Sequence, residues 1–345
     1  FRQSAMDGYA FTHSIRHQFD VVGTSKAGDH NNIKLKENEA VRVFTGAYVP
    51  KNADTVVMQE HVMANEDSIL IAKKPEAFAN VRNKGEQINA EDVVFDANTL
   101  ITPAAIGFLA CLGITEITVY KKPKIAILIT GNELIKPGKK LPKGKIYESN
   151  SVMLQAALQT IGINKVKVHT VKDNLKATKK ALQSILKKND IVLISGGISV
   201  GDYDFVKEAL LKNGVQELFY KINQKPGKPM FFGAKKDTLV FALPGNPASS
   251  LTNFYIYVYP AVKNKMGFSN THLPKIVRKL QNQITNTTGK TLFLKALYNE
   301  SSVEILEGQS SAMLNTFAIA NGLVIVPHDV ENIKKGSSVT ILPID

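Results

Sequence analysis

The sequence predicts a multidomain α/β protein: a central, doubly wound and mostly parallel α/β domain, with a β-rich and partly helical region before it and a β-barrel after it. Three observations carry this expectation. Between residues 124 and 267, apolar runs of strand length alternate with helical stretches, the pattern of a parallel sheet wrapped by helices. Within that region residues 191–194, Ile-Val-Leu-Ile, are apolar on both faces as a buried parallel strand requires, and they stop at Ser195-Gly196-Gly197 before a helical spacing begins. On both flanks, short alternating segments are separated by Gly, Asn and Pro. A chain of 345 residues also exceeds one ordinary core, so roughly two to four domains are expected.

Taken in order, strands are expected near 19–22, 40–44, 55–58 and 68–72. Thr102 and Pro103 supply an N-cap and a first-turn proline for a helix that runs to Gly113. That helix is apolar and is expected to bury Cys111. A strand at 116–120 leads to a boundary at Lys121-Lys122-Pro123. Strands then follow at 125–129, 165–171 and 191–194, with helices at 150–161, 175–187 and after Gly201. The last of these places Phe205, Ala209 and Leu210 on one face, with Asp202 or Asp204 as its cap. A hairpin of 229–232 and 239–243, turning at Lys235-Lys236-Asp237, precedes a long helix from 247 to 265. The barrel strands are expected at 276–280, 292–296, 303–306, 323–326 and 339–342, with a helix at 311–320.

Composition excludes several classes of function. One cysteine rules out a disulfide framework within the chain and any CxxC site. The seven histidines show no ligand spacing, which argues against a transition-metal centre. No apolar run reaches the roughly 18 residues of a membrane span. The chain opens without Met and inside a motif, so a preceding segment is expected. A net charge of +13 raises nucleic acid as a partner. Yet Arg2, Arg16, Arg42, Arg82 and Arg278 are the only arginines, and lysines such as Lys179-Lys180 and Lys187-Lys188 lack interleaved aromatic residues. A solvated lysine surface that favours a small anionic substrate is the better reading, with neither nucleic acid nor membrane as partner.

Ligands of doubly wound sheets bind beyond the strand C-termini, which selects the loops at 130–133, 173, 195–204 and 244–247. The strand, glycine loop and helix start at 190–210 form either an anion site built on backbone N–H groups or a tight turn with an Asp cap. Carboxylates at Glu133, Asp173, Asp202 and Asp204 around an anion point to a bridging divalent cation, and oxygen-only donors suit Mg²⁺. Singly, Asp173 is equally readable as a cap for the helix at 175. Pro244-Gly245-Asn246-Pro247 is either part of that site or a rigid entry into the long helix. Lys225 and Lys228 sit on a proline-constrained loop suited to an oxyanion.

The motifs Ser4-Ala5-Met6-Asp7-Gly8-Tyr9-Ala10, Phe44-Thr45-Gly46-Ala47, Ala53-Asp54-Thr55-Val56-Val57-Met58-Gln59-Glu60, Thr130-Gly131-Asn132-Glu133-Leu134, Ser195-Gly196-Gly197-Ile198-Ser199-Val200-Gly201, Lys225-Pro226-Gly227-Lys228-Pro229 and Pro244-Gly245-Asn246-Pro247 occur in this order. Together they resemble, essentially end to end, the MoeA family of molybdenum insertases and the related gephyrin E domain. The resemblance implies a helical domain from 1–10 and 89–121, a β-rich insert at 11–88, a central domain at 122–268 similar to molybdopterin adenylyltransferases, and a barrel at 272–345. It implies a cytoplasmic, elongated homodimer that takes adenylylated molybdopterin and molybdate and releases AMP and molybdenum cofactor with Mg²⁺. Molybdopterin adenylyltransferase and apo-molybdoenzymes are the further partners it suggests.

By the same resemblance Asp7, Glu133, Asp173 and Asp204 are catalytic, with Asp173 and Asp204 on Mg²⁺, and Asp7 and Thr45 face the partner subunit. Thr45, Ser195, Gly196, Gly197, Ser199, Gly201, Pro244, Gly245, Asn246 and Pro247 hold the pterin substrate, and Lys225, Lys228, Lys290 and Ser311 receive molybdate. Three positions depart from the family pattern: Gln87 for an acidic residue, Asn132 for Asp, and Lys290 for Arg. Gln87, which cannot ionise, leaves room for a catalytically weak ligand-holding relative. The central domain alone would suit an adenylyltransferase, against which the flanking domains argue.

Overall fold

The computed structural model describes residues 1–29, 33–198 and 205–344. They form two compact units, Phe1–Thr99 and Leu100–Asp345.

In the first unit six strands lie in the order Thr55–Met58, Gly8–Phe11, Glu39–Val43, Gln18–Ser25, Ser68–Ile71, Val62–Ala64. Neighbours run antiparallel except Gln18–Ser25 with Glu39–Val43, which are parallel. The side-chain period of two explains how such short strands hold together. Ala10, Val41, Val43 and Val56 pack on one face, while Phe11, Ala40, Val57 and Ile69 pack on the other. Phe11 and Phe19 lie with ring centroids 4.7 Å apart. A separate antiparallel pair joins Gln3–Ser4 to Val81–Arg82.

The second unit begins with the helix Pro103–Cys111, whose first turn is capped by Thr102 accepting from the Ala105 N–H at 3.2 Å. Only Ala105 and Leu109 of this helix are buried, and Cys111 is exposed, contrary to the core position expected for it. A helix that is apolar all round can bury only the stripe facing a neighbour. The strand expected at 116–120 does not form. Ile117, Val119 and Tyr120 are exposed there, and β-formers need a pairing strand to give a ladder.

The central sheet has the order Val166–Val171, Ile125–Thr130, Ile191–Ser195, Thr238–Leu243, Phe231–Lys235, Gln216–Tyr220. The first four strands are parallel and only Phe231–Lys235 runs against them, antiparallel to both its neighbours, so the doubly wound, mostly parallel expectation holds. Ile125, Ile127, Ile129, Ile191 and Leu193 pack with Leu154 and Leu158 of the helix Asn150–Thr160 and with Phe254, Val258 and Val262. Ala126, Leu128, Val192 and Ile194 face the opposite way, onto Leu182, Ile185, Ala209 and Leu210. Continuous apolar strands are therefore buried twice. In the helix Phe205–Lys212 the buried face is led by Val206 rather than by Phe205.

The helix starting at Pro247 is interrupted by a π segment, Phe254–Val258, before continuing as Tyr259–Lys265. Pro260 lacks an N–H and crowds the carbonyl four residues earlier, which accounts for the irregularity. In the C-terminal region Thr291–Tyr298, Ser302–Ile305, Ile276–Leu280, Ser338–Pro343 and Gly322–Val326 form a ring closed by pairing of the first with the last, a five-stranded barrel. Its helix is shorter than expected, Leu314–Ile319.

Candidate active site

Three parallel strands end at one edge, where Ser195 lies opposite Ile129 on one side and Leu243 on the other. From Ile125–Thr130 the chain crosses to Val166–Val171 on one flank and returns to Ile191–Ser195 on the other, so this edge is the topological switch point of the sheet. A cavity of about 470 Å³ opens there. Its lining brings together Glu133, Asp173, Ser195, Gly196, Gly197 and the turn Pro244, Gly245, Asn246, Pro247, as the loop selection from sequence expected. Ser199, Gly201, Asp202 and Asp204 lie outside the described residues.

The glycine loop needs its glycines. Gly196 has φ +92°, and a Cβ there would meet the Thr130 carbonyl oxygen. At Gly197, φ +62°, a Cβ would stand 2.7 Å from Val206 Cγ2. Asp173 does not cap the following helix. Asn174 does so, its Oδ1 accepting from the Ala177 N–H at 2.8 Å. Asp173 is held instead by the Thr130 hydroxyl, which donates to its Oδ1 at 2.9 Å, while its own N–H donates to Asn132 Oδ1 at 3.2 Å. Asn132 thus supplies an acceptor without adding a third negative charge beside Asp173 and Glu133.

Lys225, Lys228 and Lys290 are not in the cavity lining, although Pro229 is. The fold brings their segments side by side: Gln224–Lys225 pairs in parallel with Thr291 and Leu292, and Asn223 Nδ2 donates to the Gly289 carbonyl at 3.1 Å. The lysine loop, with its cis Lys225-Pro226 bond, is fastened from the helix behind it. Asn253 Nδ2 donates to Gly227 O at 3.1 Å, Gln224 Nε2 donates to Asn253 Oδ1 at 2.6 Å, and Tyr257 donates to Gln224 Oε1 at 2.7 Å. Burial pushes the Tyr257 phenol above its usual range, which keeps it the donor.

Ser311 reaches the site by its hydroxyl, which accepts from Asn246 Nδ2 at 2.9 Å, and by its carbonyl, which accepts from the Ser249 N–H at 3.2 Å. Its loop is organised by Lys295, 3% exposed, whose ammonium donates to the carbonyls of Gly308, Ser310 and Met313 at 2.7, 3.3 and 3.2 Å. Desolvation lowers the pKa of this lysine.

Asp7 and Thr45 lie in the first unit, where the Thr45 N–H and hydroxyl donate to Asp7 Oδ1 at 2.7 and 2.9 Å. The backbone N–H, then the hydroxyl, hold the Asp7 carboxyl below the usual aspartate range, with a smaller contribution from the Arg42 charge. Among the described residues, no group of three His, Cys, Asp or Glu side chains could hold a metal ion.

Known proteins resemble this chain along its length. Three family models match in sequence: MoeA N-terminal region (domain I and II) over residues 1–113, Probable molybdopterin binding domain over 126–264, and MoeA C-terminal region (domain IV) over 277–344. A molybdopterin molybdenumtransferase of Haemophilus influenzae is 34% identical, covering 99% of this chain and 87% of the relative. The chain belongs to the MoeA family. A Staphylococcus aureus molybdopterin molybdenumtransferase, 32% identical, covers 99% of the chain and 84% of its own length. The crystal structure of a Pyrococcus horikoshii molybdopterin biosynthesis MoeA protein superposes with a TM-score of 0.82 at 28% identity, covering 100% of this chain and 88% of that one.

In this MoeA chain the cavity also has a wall that motif reading passes over: Ile146, Tyr147, Glu148, Ser149 and Asn150. Leu134–Ile135 pairs in parallel with Ile146–Tyr147 and folds the long connection back to the edge. Glu148 is not a free carboxylate here. It accepts from the Ser151 N–H at 2.8 Å and from the Ser151 hydroxyl at 2.5 Å, satisfying the start of the helix Asn150–Thr160. The signal was topological: a helix that follows a strand of a doubly wound sheet starts at the ligand-binding edge.

Proposed function

We propose that this chain is a molybdopterin molybdenumtransferase, an enzyme that inserts molybdate into adenylylated molybdopterin and releases AMP. The observation that carries the reading is the single cavity wall shared by two carboxylates, Asp173 and Glu133, the glycine loop and the Pro244 to Pro247 turn. Backbone N–H groups of the glycine loop suit phosphate oxygens. The lysines 225, 228 and 290 with Ser311 suit a tetrahedral dianion, and the register that sets Lys290 beside the Lys225 loop supports that grouping.

The donor set fits Mg²⁺. This ion is commonly held by one or two carboxylates and substrate phosphates, with water completing its shell. Asp173 has one oxygen engaged by Thr130 and the other without a hydrogen bond among the described residues. Asp173 with Asp204 would hold the ion, and Glu133 would orient water. When bound, Mg²⁺ supplies charge neutralisation at the phosphoanhydride. The protein's own part is to fix the pterin against the turn, to keep Asp173 oriented and to present the lysine loop to the oxyanion.

Asp7 and Thr45 are read as completing the cleft of a second copy. Leu100 and Ile106, 61% and 59% exposed on and beside the helix Pro103–Cys111, support a homodimer. The domain division at 11, 89, 122 and 272, a cytoplasmic location and contacts with an adenylyltransferase and apo-molybdoenzymes belong to the same reading. No described helix is long and apolar enough to cross a membrane.

The test is AMP release from adenylylated molybdopterin with Mg²⁺ and molybdate. Release that depends on molybdate, and that EDTA stops and added Mg²⁺ restores, is expected. AMP transfer from ATP to free molybdopterin would instead indicate an adenylyltransferase. Gln87, exposed and unable to ionise, favours the second reading, a ligand-holding relative. Tight binding of adenylylated molybdopterin without AMP release would establish it. Sedimentation should give twice the chain mass of 37.8 kDa; a monomer at working concentration would defeat the shared cleft.

A further inference from the structure

Asn150 opens the helix Asn150–Thr160 and is 9% exposed, within the cavity wall. Both protons of its amide are committed. Nδ2 donates to Ser195 Oγ at 2.7 Å and to the Gly245 carbonyl at 2.8 Å. A carbonyl can only accept, so the contact with Gly245 fixes which amide atom is nitrogen. Oδ1 is then a buried acceptor, and among the described residues it has no hydrogen-bond partner. Buried amide oxygens are normally paired, and one left unpaired in a binding cavity asks for a donor from outside the protein.

The chemistry of that donor is restricted. An amide oxygen repels phosphate and molybdate, so this part of the cavity is not an oxyanion subsite. The nearby wall contains Leu134, Tyr147, Ile198, Pro229 and Pro244, apolar surfaces suited to the faces of a flat ring. We propose that Asn150 Oδ1 accepts a hydrogen bond from an N–H of a planar heterocycle, and that Asn150 is a specificity residue of the cavity. It ties the first residue of the glycine loop to the Pro244 to Pro247 turn and reads the ring between them. The inference rests on the proposed function, whose substrate offers two such heterocycles, the pterin and the adenine. Either can supply the N–H, and the two arms of the test separate them.

The experiment measures the dissociation constants of molybdopterin and of AMP separately, by anaerobic equilibrium dialysis, for the wild-type chain, Asn150→Ala and Asn150→Asp. Thermal unfolding of each variant checks that it is folded. Loss of one neutral hydrogen bond should weaken the ligand that is read by roughly three- to tenfold in Asn150→Ala. The other ligand should stay within about twofold. Asn150→Asp keeps an acceptor at the same place but loses both donors to Ser195 and Gly245. It should therefore bind the read ligand more tightly than Asn150→Ala does. Weakening of molybdopterin assigns the pterin, and weakening of AMP assigns the adenine. Equal losses in the two variants would mean that Asn150 only ties the loops together, and would overturn the inference, as would unchanged affinity for both ligands. A wild-type chain that binds neither ligand would overturn the proposed function and this inference with it.

Discussion

Two aspartates of this chain are each held by a threonine, and they are held differently. In the first unit Asp7 Oδ1 takes two donors from Thr45, the backbone N–H and the hydroxyl, and its carboxyl is kept below the usual aspartate range. At the edge of the central sheet, among the described residues, Asp173 Oδ1 takes only the Thr130 hydroxyl, and the aspartate's own N–H is used to hold Asn132. The first arrangement fixes an ionised group in a turn. The second orients a carboxylate by a single contact; in both aspartates Oδ2 has no hydrogen bond among the described residues. The number of donors on the engaged oxygen, rather than residue type, separates a carboxylate held below its usual pKa range from one held by a single contact beside a cavity.

The comparison breaks most easily at Asp173. Asp173→Asn keeps the shape and the Thr130 contact but removes the charge, and AMP release should fall by at least roughly a hundredfold while thermal stability changes little. Turnover within a few-fold of wild type would mean that the free oxygen is not used. A smaller effect is expected for Thr130→Val, which is nearly isosteric. It removes the one side-chain donor to Asp173 found among the described residues and should cost about 0.5–1.5 kcal/mol of stability, read by chemical denaturation. Turnover should fall by about tenfold, one hydrogen bond's worth of orientation. An unchanged rate would show that Asp173 is oriented without Thr130.

The smallest effect belongs to Asp7. Because its folded pKa lies below the unfolded one, its contacts with Thr45 contribute stability that is present above about pH 4 and is lost as pH falls through the lower folded value. The difference in melting temperature between the wild-type chain and Asp7→Asn should therefore be constant from pH 7 to 5 and shrink only in more acid solution. A difference that rises on acidification would reverse the assignment.

Much of the central domain was legible because its inner strands Ile125–Thr130 and Ile191–Ser195 are apolar on both faces, while its helices are not. Only a sheet covered on two sides buries Ile125, Ala126, Ile127 and Leu128 together. That the glycine loop, the proline turn and Asp173 meet at one cavity was legible from the topology rule, which assigns loops to one edge. Residues 116–120 misled, because β-branched residues signal a strand without naming a partner, and among the described residues no strand pairs with them. Cys111 misled because an apolar helix does not reveal how much of its circumference has a neighbour.

The sequence by itself determined the fold class, the family and the edge at which the site is built. Those follow from local periodicity and from motifs whose residues are contiguous. Tertiary structure alone decided that Asn174 rather than Asp173 caps its helix, that Glu148 is spent on Ser151, and that Asn150, in the cavity wall, keeps a buried oxygen unpaired among the described residues. It also joined Gln224, Asn253 and Tyr257 behind the lysine loop. The physical reason is that hydrogen-bond pairing is a competition among all donors and acceptors that the fold brings within about 3 Å, and the winners stand far apart in the chain.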